Sequence, residues 1–328
     1  MSTKLENPSV RGIRRLAPVK ELGPLLALLA LCALVSILSP VFLTTSNLLN
    51  VLVQAAVVSV LAAGVNFAIL TGGIDLSVGS VLGLVGVLIA ATYKSTGSVF
   101  LALAAALFLG FSLGLFNGLM VTVGRIPSFI ATLGTMSIAR GLAFVFTQGR
   151  PISSFPASFR ALGAGEVWGI PIPIIVVFVV YAVAHYVLTQ TPYGRAIYAI
   201  GSNEEAARLS GVNVGWYKAA AFGISGLLAG LAAIMFTGRI NSAHPLAGNG
   251  YELDAIAAVV IGGTSLSGGE GRVWGTFVGA LIMGVIRNGL NLLMVDSYWQ
   301  QVVIGAVIVI AVLLDRRGRP TEGAGAVK

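Results

Sequence analysis

Charge is what this chain has least of. Asp, Glu, Lys and Arg make up 10% of its 328 residues, against about 25% in a soluble domain. Water is therefore not the solvent for most of it. A single cysteine, Cys32, excludes an intrachain disulfide framework. The two histidines, His185 and His244, lie far apart and offer no metal-ligand spacing, so neither a metal site nor a bound cofactor is expected. No GxxxxGK[ST] phosphate loop occurs, and the chain is not expected to hydrolyse ATP itself. The glycine-rich GGEGR at 268–272 lacks the lysine and the preceding strand and reads as a tight turn. No Ser, Cys or His constellation calls for an enzyme.

What remains is apolar and rich in glycine. Hydrophobic residues reach 56% and glycine 42 residues, without a Gly-X-Y period. Glycine is frequent in transmembrane helices because close helix approach replaces hydrophobic collapse as the packing device. The formal charge of +8 does not point to nucleic acid, because of where it sits. Lys4, Arg11, Arg14, Arg15 and Lys20 precede the first apolar run, and Arg316, Arg317, Arg319 and Lys328 follow the last. Such flanks are topology signals.

A membrane span needs about 20 mostly apolar residues. Ten are read here, over 24–43, 51–70, 76–93, 98–123, 128–147, 171–190, 219–238, 254–267, 273–292 and 299–315. The third and eighth are short or broken by glycine. The first is read as an uncleaved span rather than a signal peptide, since no small-x-small cleavage site follows it. The expected fold class is an all-α polytopic membrane protein, with a basic segment over 1–23, a permease-sized body over 24–315 and a tail over 316–328. With the N-terminus inside, the inner segments gain Arg125, Arg195, Arg208, Lys218 and Arg272. The outer loops hold only Lys94, Arg150, Arg160 and Arg239. That bias favours both termini on the cytoplasmic side. The stretch 148–169, with Pro151 and Pro156, then reads as an extracytoplasmic loop. Small residues four apart, at Gly110, Gly114 and Gly118, Gly79 and Gly83, Gly226 and Gly230, and Gly275 and Gly279, mark faces for tight helix packing.

One polar stretch interrupts the apolar body, TPYGRAIYAIGSNEEAARLSGVNVGWYK at 191–218. Pro192 breaks the sixth span. Ser202 and Asn203 can cap a short helix with Glu204 and Glu205 in its first turn, and Gly211 can end it. Such an element suits docking on a soluble partner, although a plain solvated loop reads the same way. Charges within or beside spans are costly in lipid and stand out. Asp75 can cap the third span or lie in a conduction path. Glu252 and Asp254 precede the eighth, among glycines that make a broken helix plausible. Arg140 and Arg287 lie within spans, where they can snorkel or face a cavity. Asn66, Asn117, Asn288 and Asn291 can bond sugar hydroxyls or neighbouring helices.

Four segments carry a resemblance. GRAIYAIGSNEEAARLSGVNV, GNGYELDAIAAVVIGGTSLSGGEGR, TGGIDLSVGS and NGLNLL are similar to stretches of the ribose-type (monosaccharide) branch of ABC-importer permeases. They occur in the matching order from the second span to the C-terminus. The resemblance implies a homodimeric pore in the bacterial plasma (inner) membrane. It implies a separate cytoplasmic ABC ATPase subunit that uses ATP, and an extracytoplasmic sugar-binding protein. It places ATPase coupling on Gly201, Asn203, Glu204, Glu205, Ala207, Arg208, Leu209 and Gly211. Asp75, Asn66, Asn117, Arg140, Glu252, Asp254, Asn288 and Asn291 are candidates for the translocation path. The sugar stays open among ribose, xylose, galactose and other small polyols. On the residues alone a gradient-driven secondary sugar transporter is the alternative. It needs a relay of intramembrane carboxylates, of which Asp75 is the main candidate, and often an inverted repeat, and none is visible.

Overall fold

A computed structural model describes residues 9–317, with side chains over 22–313. Residues 1–8 and 318–328, which include Lys4, Arg319 and Lys328 and the ends of the two flanking segments, lie outside the described residues. Among the described residues the chain is built almost wholly of helices. In order they are α1 (Ser9–Leu38), α2 (Thr45–Leu70), α3 (Val78–Thr96), α4 (Val99–Thr122) and α5 (Ser128–Thr147). After the strand β1 (Ile152–Ser153) come α6 (Ala157–Ala164), the strands β2 (Glu166–Val167) and β3 (Ile170–Pro171), and α7 (Ile172–Gln190). Then follow α8 (Pro192–Ser202), α9 (Glu204–Leu209) and α10 (Val214–Ile240), the strand β4 (Ser242–Ala243), α11 (Tyr251–Ile261), α12 (Val273–Leu292) and α13 (Ser297–Arg317).

Seven of these, α2, α3, α4, α5, α7, α10 and α12, are long and apolar enough to cross a membrane. The apolar stretches Leu22–Leu38 of α1 and Ser297–Leu313 of α13 are shorter. Burial sorts the helices into an inner and an outer set. In the most apolar window of α10, 72% of residues are buried, against 22% in α4. The outer set, α4, α5 and α7, turns Phe108, Phe116, Val145 and Val179 outward. That pattern suits lipid, which accepts apolar side chains that water would drive inside.

Glycine sets the closest contacts. A Cβ on Gly114 of α4 would stand 2.2 Å from the Phe222 carbonyl of α10, and one on Gly226 of α10 would stand 2.2 Å from the Gly110 carbonyl. Any side chain there would push the two backbones apart. Gly275 and Gly279 of α12 meet Gly262 and Ala258 at the end of α11 in the same manner. Gly79 and Gly83 of α3 meet the segment 245–252. The glycine triplet and the three glycine pairs expected from the sequence therefore all lie at contacts between packed segments.

Several boundaries differ from the sequence reading. The expected eighth span over 254–267 is the 11-residue α11, about 16 Å long and half of a bilayer core. Gly262 and Gly263 stop it, Gly263 at φ +88°. Before α11, the segment after β4 folds back among α3 and α5. Gly248, at φ +70°, has its would-be Cβ 2.5 Å from the Gly79 carbonyl. The stretch 148–169 is not irregular throughout, since it holds β1, α6 and β2. β1 pairs antiparallel with β4, and β2 with β3. Arg239 lies in the last turn of α10 rather than in a loop. The single short helix expected within 191–218 is two helices, α8 and α9.

Candidate functional site

At one end of the bundle, α8 and α9 form a bent platform. Thr191 ends α7, and its hydroxyl accepts from the Gly194 amide to start α8. Pro192 occupies the first turn of α8, where its missing N–H leaves no bond unmade. The Tyr193 ring packs against Phe67, Trp216 and Tyr217 at centroid distances of 6.5, 6.0 and 5.5 Å. Burial, with Tyr217 adding to it, raises the Tyr193 phenol above its ordinary range, so the ring stays neutral. The Tyr198 hydroxyl donates to the Gly271 carbonyl at 2.9 Å. The Gly269 amide donates to the Leu70 carbonyl at 3.0 Å. Gly201 lies so close to both that a Cβ there would stand 2.0 Å from the Leu70 oxygen. GGEGR is the tight turn the sequence implies, with Gly268 and Gly269 at φ +86° and +73°. The platform is thus bolted to the end of α2.

On that base stands α9. The Asn203 side chain accepts from the Ala206 amide at 2.9 Å, and Glu204 and Glu205 follow in the first turn. Gly211, at φ +84°, lies just past its end. Ala207 is buried with Ile200 and Val214. Glu204 is spent internally, bonding Arg208 at 3.2 Å and Lys218. Glu205 is free to face outward, and Leu209 is 82% exposed. Leu209 thus stands as a single apolar knob among charged side chains on this base.

Deeper in the bundle lie two buried carboxylates. Asp75, 0% exposed, sits in the break between α2 and α3. One oxygen accepts from the Ser77 amide at 2.9 Å and hydroxyl at 2.6 Å, and the other from the Ser225 hydroxyl at 2.7 Å. Ser77 in turn accepts from the Asn117 amide at 2.8 Å, and Asn117 accepts from the Thr135 hydroxyl. Asp75 therefore closes a turn onto Ser77 just before α3 rather than capping the helix, whose first turn takes no side-chain cap, and it joins that turn to α4, α5 and α10. All its hydrogen-bond donors are neutral.

The other carboxylate, Asp254, is 1% exposed in the first turn of α11. One of its oxygens pairs with the Arg287 guanidinium of α12; the other has no hydrogen-bond partner. Arg287 also stands over the Tyr251 ring, 6.0 Å from its centroid. Glu252 accepts from the Gly250 amide through one oxygen, and its other oxygen is buried without a partner. Arg140 of α5 donates to the Pro245 and Ala247 carbonyls at 2.6 and 2.9 Å. The start of a half-length helix, where the dipole favours negative charge, thus gathers two carboxylates and two arginines with acceptor capacity to spare.

The remaining candidates are scattered. Asn288 and Asn47 exchange amide bonds at 3.0 and 2.9 Å between α12 and α2. Asn66 accepts from the Thr264 hydroxyl at 2.9 Å. Asn291 accepts from Gln300 at 2.8 Å. Sequence reasoning missed Ser77, Thr135, Ser225 and Asn47. Only Ser77, two residues after Asp75, carried a local signal, because an acid two residues before a free amide is a turn pattern.

Comparison with known proteins completes the picture. Residues 47–312 match the family described as branched-chain amino acid transport system / permease component. The ribose import permease protein RbsC of Bacillus subtilis is 49% identical over 301 residues, 91% of this chain and 94% of that protein. RbsC of Haemophilus influenzae is 48% identical over 294 residues, 88% and 91% of the two chains. The D-allose transport system permease protein AlsC of Escherichia coli is 41% identical over 296 residues, 90% and 91%. With its seven membrane-length helices and relatives matched over nearly their whole length, the chain belongs to this permease-component family and is a multi-pass transport subunit of the bacterial inner membrane.

Proposed function

We propose that this chain is the membrane subunit of an ATP-driven ABC importer and forms the translocation path for ribose. The observation that carries the reading is the 49% identity to a protein named for ribose import, held over 91% of the chain. In this reading both termini face the cytoplasm and ten helices cross or enter the bilayer, α1, α11 and α13 completing the seven. The α8–α9 platform is the cytoplasmic docking surface for a separate ABC ATPase, which uses ATP while this chain binds no cofactor. A sugar-binding protein delivers ligand at the opposite end, and a second copy completes a homodimeric pore.

Among the coupling candidates, Gly201, Asn203, Ala207 and Gly211 shape the platform, Glu204 braces it, and Glu205, Arg208 and Leu209 present it to the partner. Of the path candidates, Glu252 and Asp254 at the start of α11 each keep a buried oxygen without a hydrogen-bond partner and serve the path, with Arg140 of α5 beside them. Asp75, Asn117, Asn288 and Asn291 serve helix contacts, as does the Asn66 oxygen, although the Asn66 amide nitrogen is left without a partner. Loose contacts suit a path, since tight binding would slow release.

The test is uptake of labelled ribose, xylose and allose by cells with and without the chain, with an uncoupler added while ATP is maintained. Ribose uptake that needs the chain and survives the uncoupler is the expected result. Collapse with the uncoupler would assign the chain to gradient-driven transport instead. Leu209→Asp in the reconstituted complex should abolish ribose-stimulated ATP hydrolysis without lowering thermal stability, because Leu209 touches little of its own chain.

A further inference from the structure

At the end of the bundle opposite α8 and α9, β2 and β3 form a small hairpin whose exposed groups are oddly chosen for water. Trp168 is 98% exposed, and Val167 and Ile170 beside it are 41% and 49% exposed. Val167 and Ile170 are cross-strand partners and so share one face. The turn between them has Trp168 at φ +52° and Gly169 at φ +77°. A bulky residue pays a conformational cost in that region, where Asn or Gly is the ordinary choice. Nothing inside the protein offsets the cost at Trp168, since its ring is almost wholly uncovered.

Continuity of the surface says what covers it. The hairpin runs straight into α7, a membrane-length helix that begins at Ile172 and turns Ile175, Phe178, Val179, Val183 and Tyr186 outward. Gly165 ties the hairpin's foot to α6 and α7, donating to the Ala161 carbonyl at 2.8 Å and accepting from the Ile172 amide at 2.9 Å. Trp168 lies four residues before the start of the span, a reach of at most about 13 Å, which keeps it within the headgroup layer that flanks a core of about 30 Å. Indole is the side chain enriched at that depth, with an apolar body and one N–H for water or phosphate.

We infer that the β2–β3 hairpin is a membrane-interface anchor. Val167 and Ile170 enter the acyl boundary, and Trp168 lies among the headgroups at the start of α7. The occupant is the lipid interface rather than a soluble partner. The anchor fixes the depth and tilt of α7, whose other end carries α8.

The test uses the full chain in lipid nanodiscs with Trp216, Trp274 and Trp299 replaced by phenylalanine, leaving Trp168 as the only tryptophan. Lipids spin-labelled near the headgroup should quench its emission severalfold more than lipids labelled at the chain end, and aqueous iodide should quench it weakly. Full quenching by iodide with none by either lipid would overturn the anchor and leave the hairpin free for a soluble partner. Where the triple replacement does not fold, Trp168→Cys in a Cys32→Ala chain carries a spin label to the same place. Relaxation by oxygen exceeding that by a water-soluble nickel chelate supports the anchor; the reverse overturns it. Both readouts are independent of transport, so they stand or fall apart from the importer reading.

Discussion

Asp75 and Asp254 are both buried carboxylates at the start of a helix, yet their surroundings are opposite. Asp75 is met only by neutral hydroxyls and amides from its own end of α3 and from α10, and those donors are themselves bonded to α4 and α5. Asp254 is met by a cation, and an oxygen on it and another on neighbouring Glu252 are left without partners. A buried polar group that is fully bonded stiffens its neighbourhood, whereas one left partly unbonded costs stability. The first cluster therefore reads as a joint, and the second as one that keeps polar capacity unused, the feature on which its proposed place in the path rests.

The comparison can be broken most severely at Arg287. Arg287→Met strands Asp254 as an uncompensated buried charge and should cost about 3–5 kcal/mol in thermal or denaturant unfolding in detergent. Adding Asp254→Leu should recover most of that loss; no recovery would mean that the pair is not what holds α11 to α12. Asp75→Ala comes next, at about 2–3 kcal/mol, because the Ser77 amide and the Ser225 hydroxyl lose their acceptor. Asp75→Asn keeps an acceptor for Ser77 and should cost about 1 kcal/mol. A larger loss would show that the joint needs the charge itself. The smallest effect on stability belongs to Glu252→Gln, within about 0.5 kcal/mol. Ribose uptake should nonetheless fall severalfold, and unchanged uptake would remove Glu252 from the path.

The long spans and the glycine faces could be read from the sequence because both are local. Apolar runs mark α2, α4 and α7, and glycines four apart mark the seam of α4 with α10. The half-length α11 could not be read so easily, since an apolar run bounded by glycines looks the same whether it crosses the bilayer or starts halfway through. What decides it is the packing of 245–250 against α3 and α5, distant in sequence. α8 was missed for a different reason. In sequence Pro192 reads as a breaker of the sixth span, although proline in a first helical turn starts a helix as readily as it ends one. In the candidate sites the acids were visible and their partners were not. Ser225 lies 150 residues from Asp75, and Arg287 lies 33 from Asp254, beyond the reach of any local pattern.

The glycine seam between α4 and α10 bears on how the subunit can move. α10 has 27 residues, about 40 Å end to end, and runs from the α8–α9 platform to the β1–β4 pair. Sliding it half a turn along α4, about 3 Å, would drive larger side chains into sites where a single methyl group does not fit, since the small residues recur only every four positions, at Gly110, Gly114 and Gly118 and at Gly226 and Gly230. Shear by less than a turn is thereby opposed. Within one register the two helices should therefore move together as one strut.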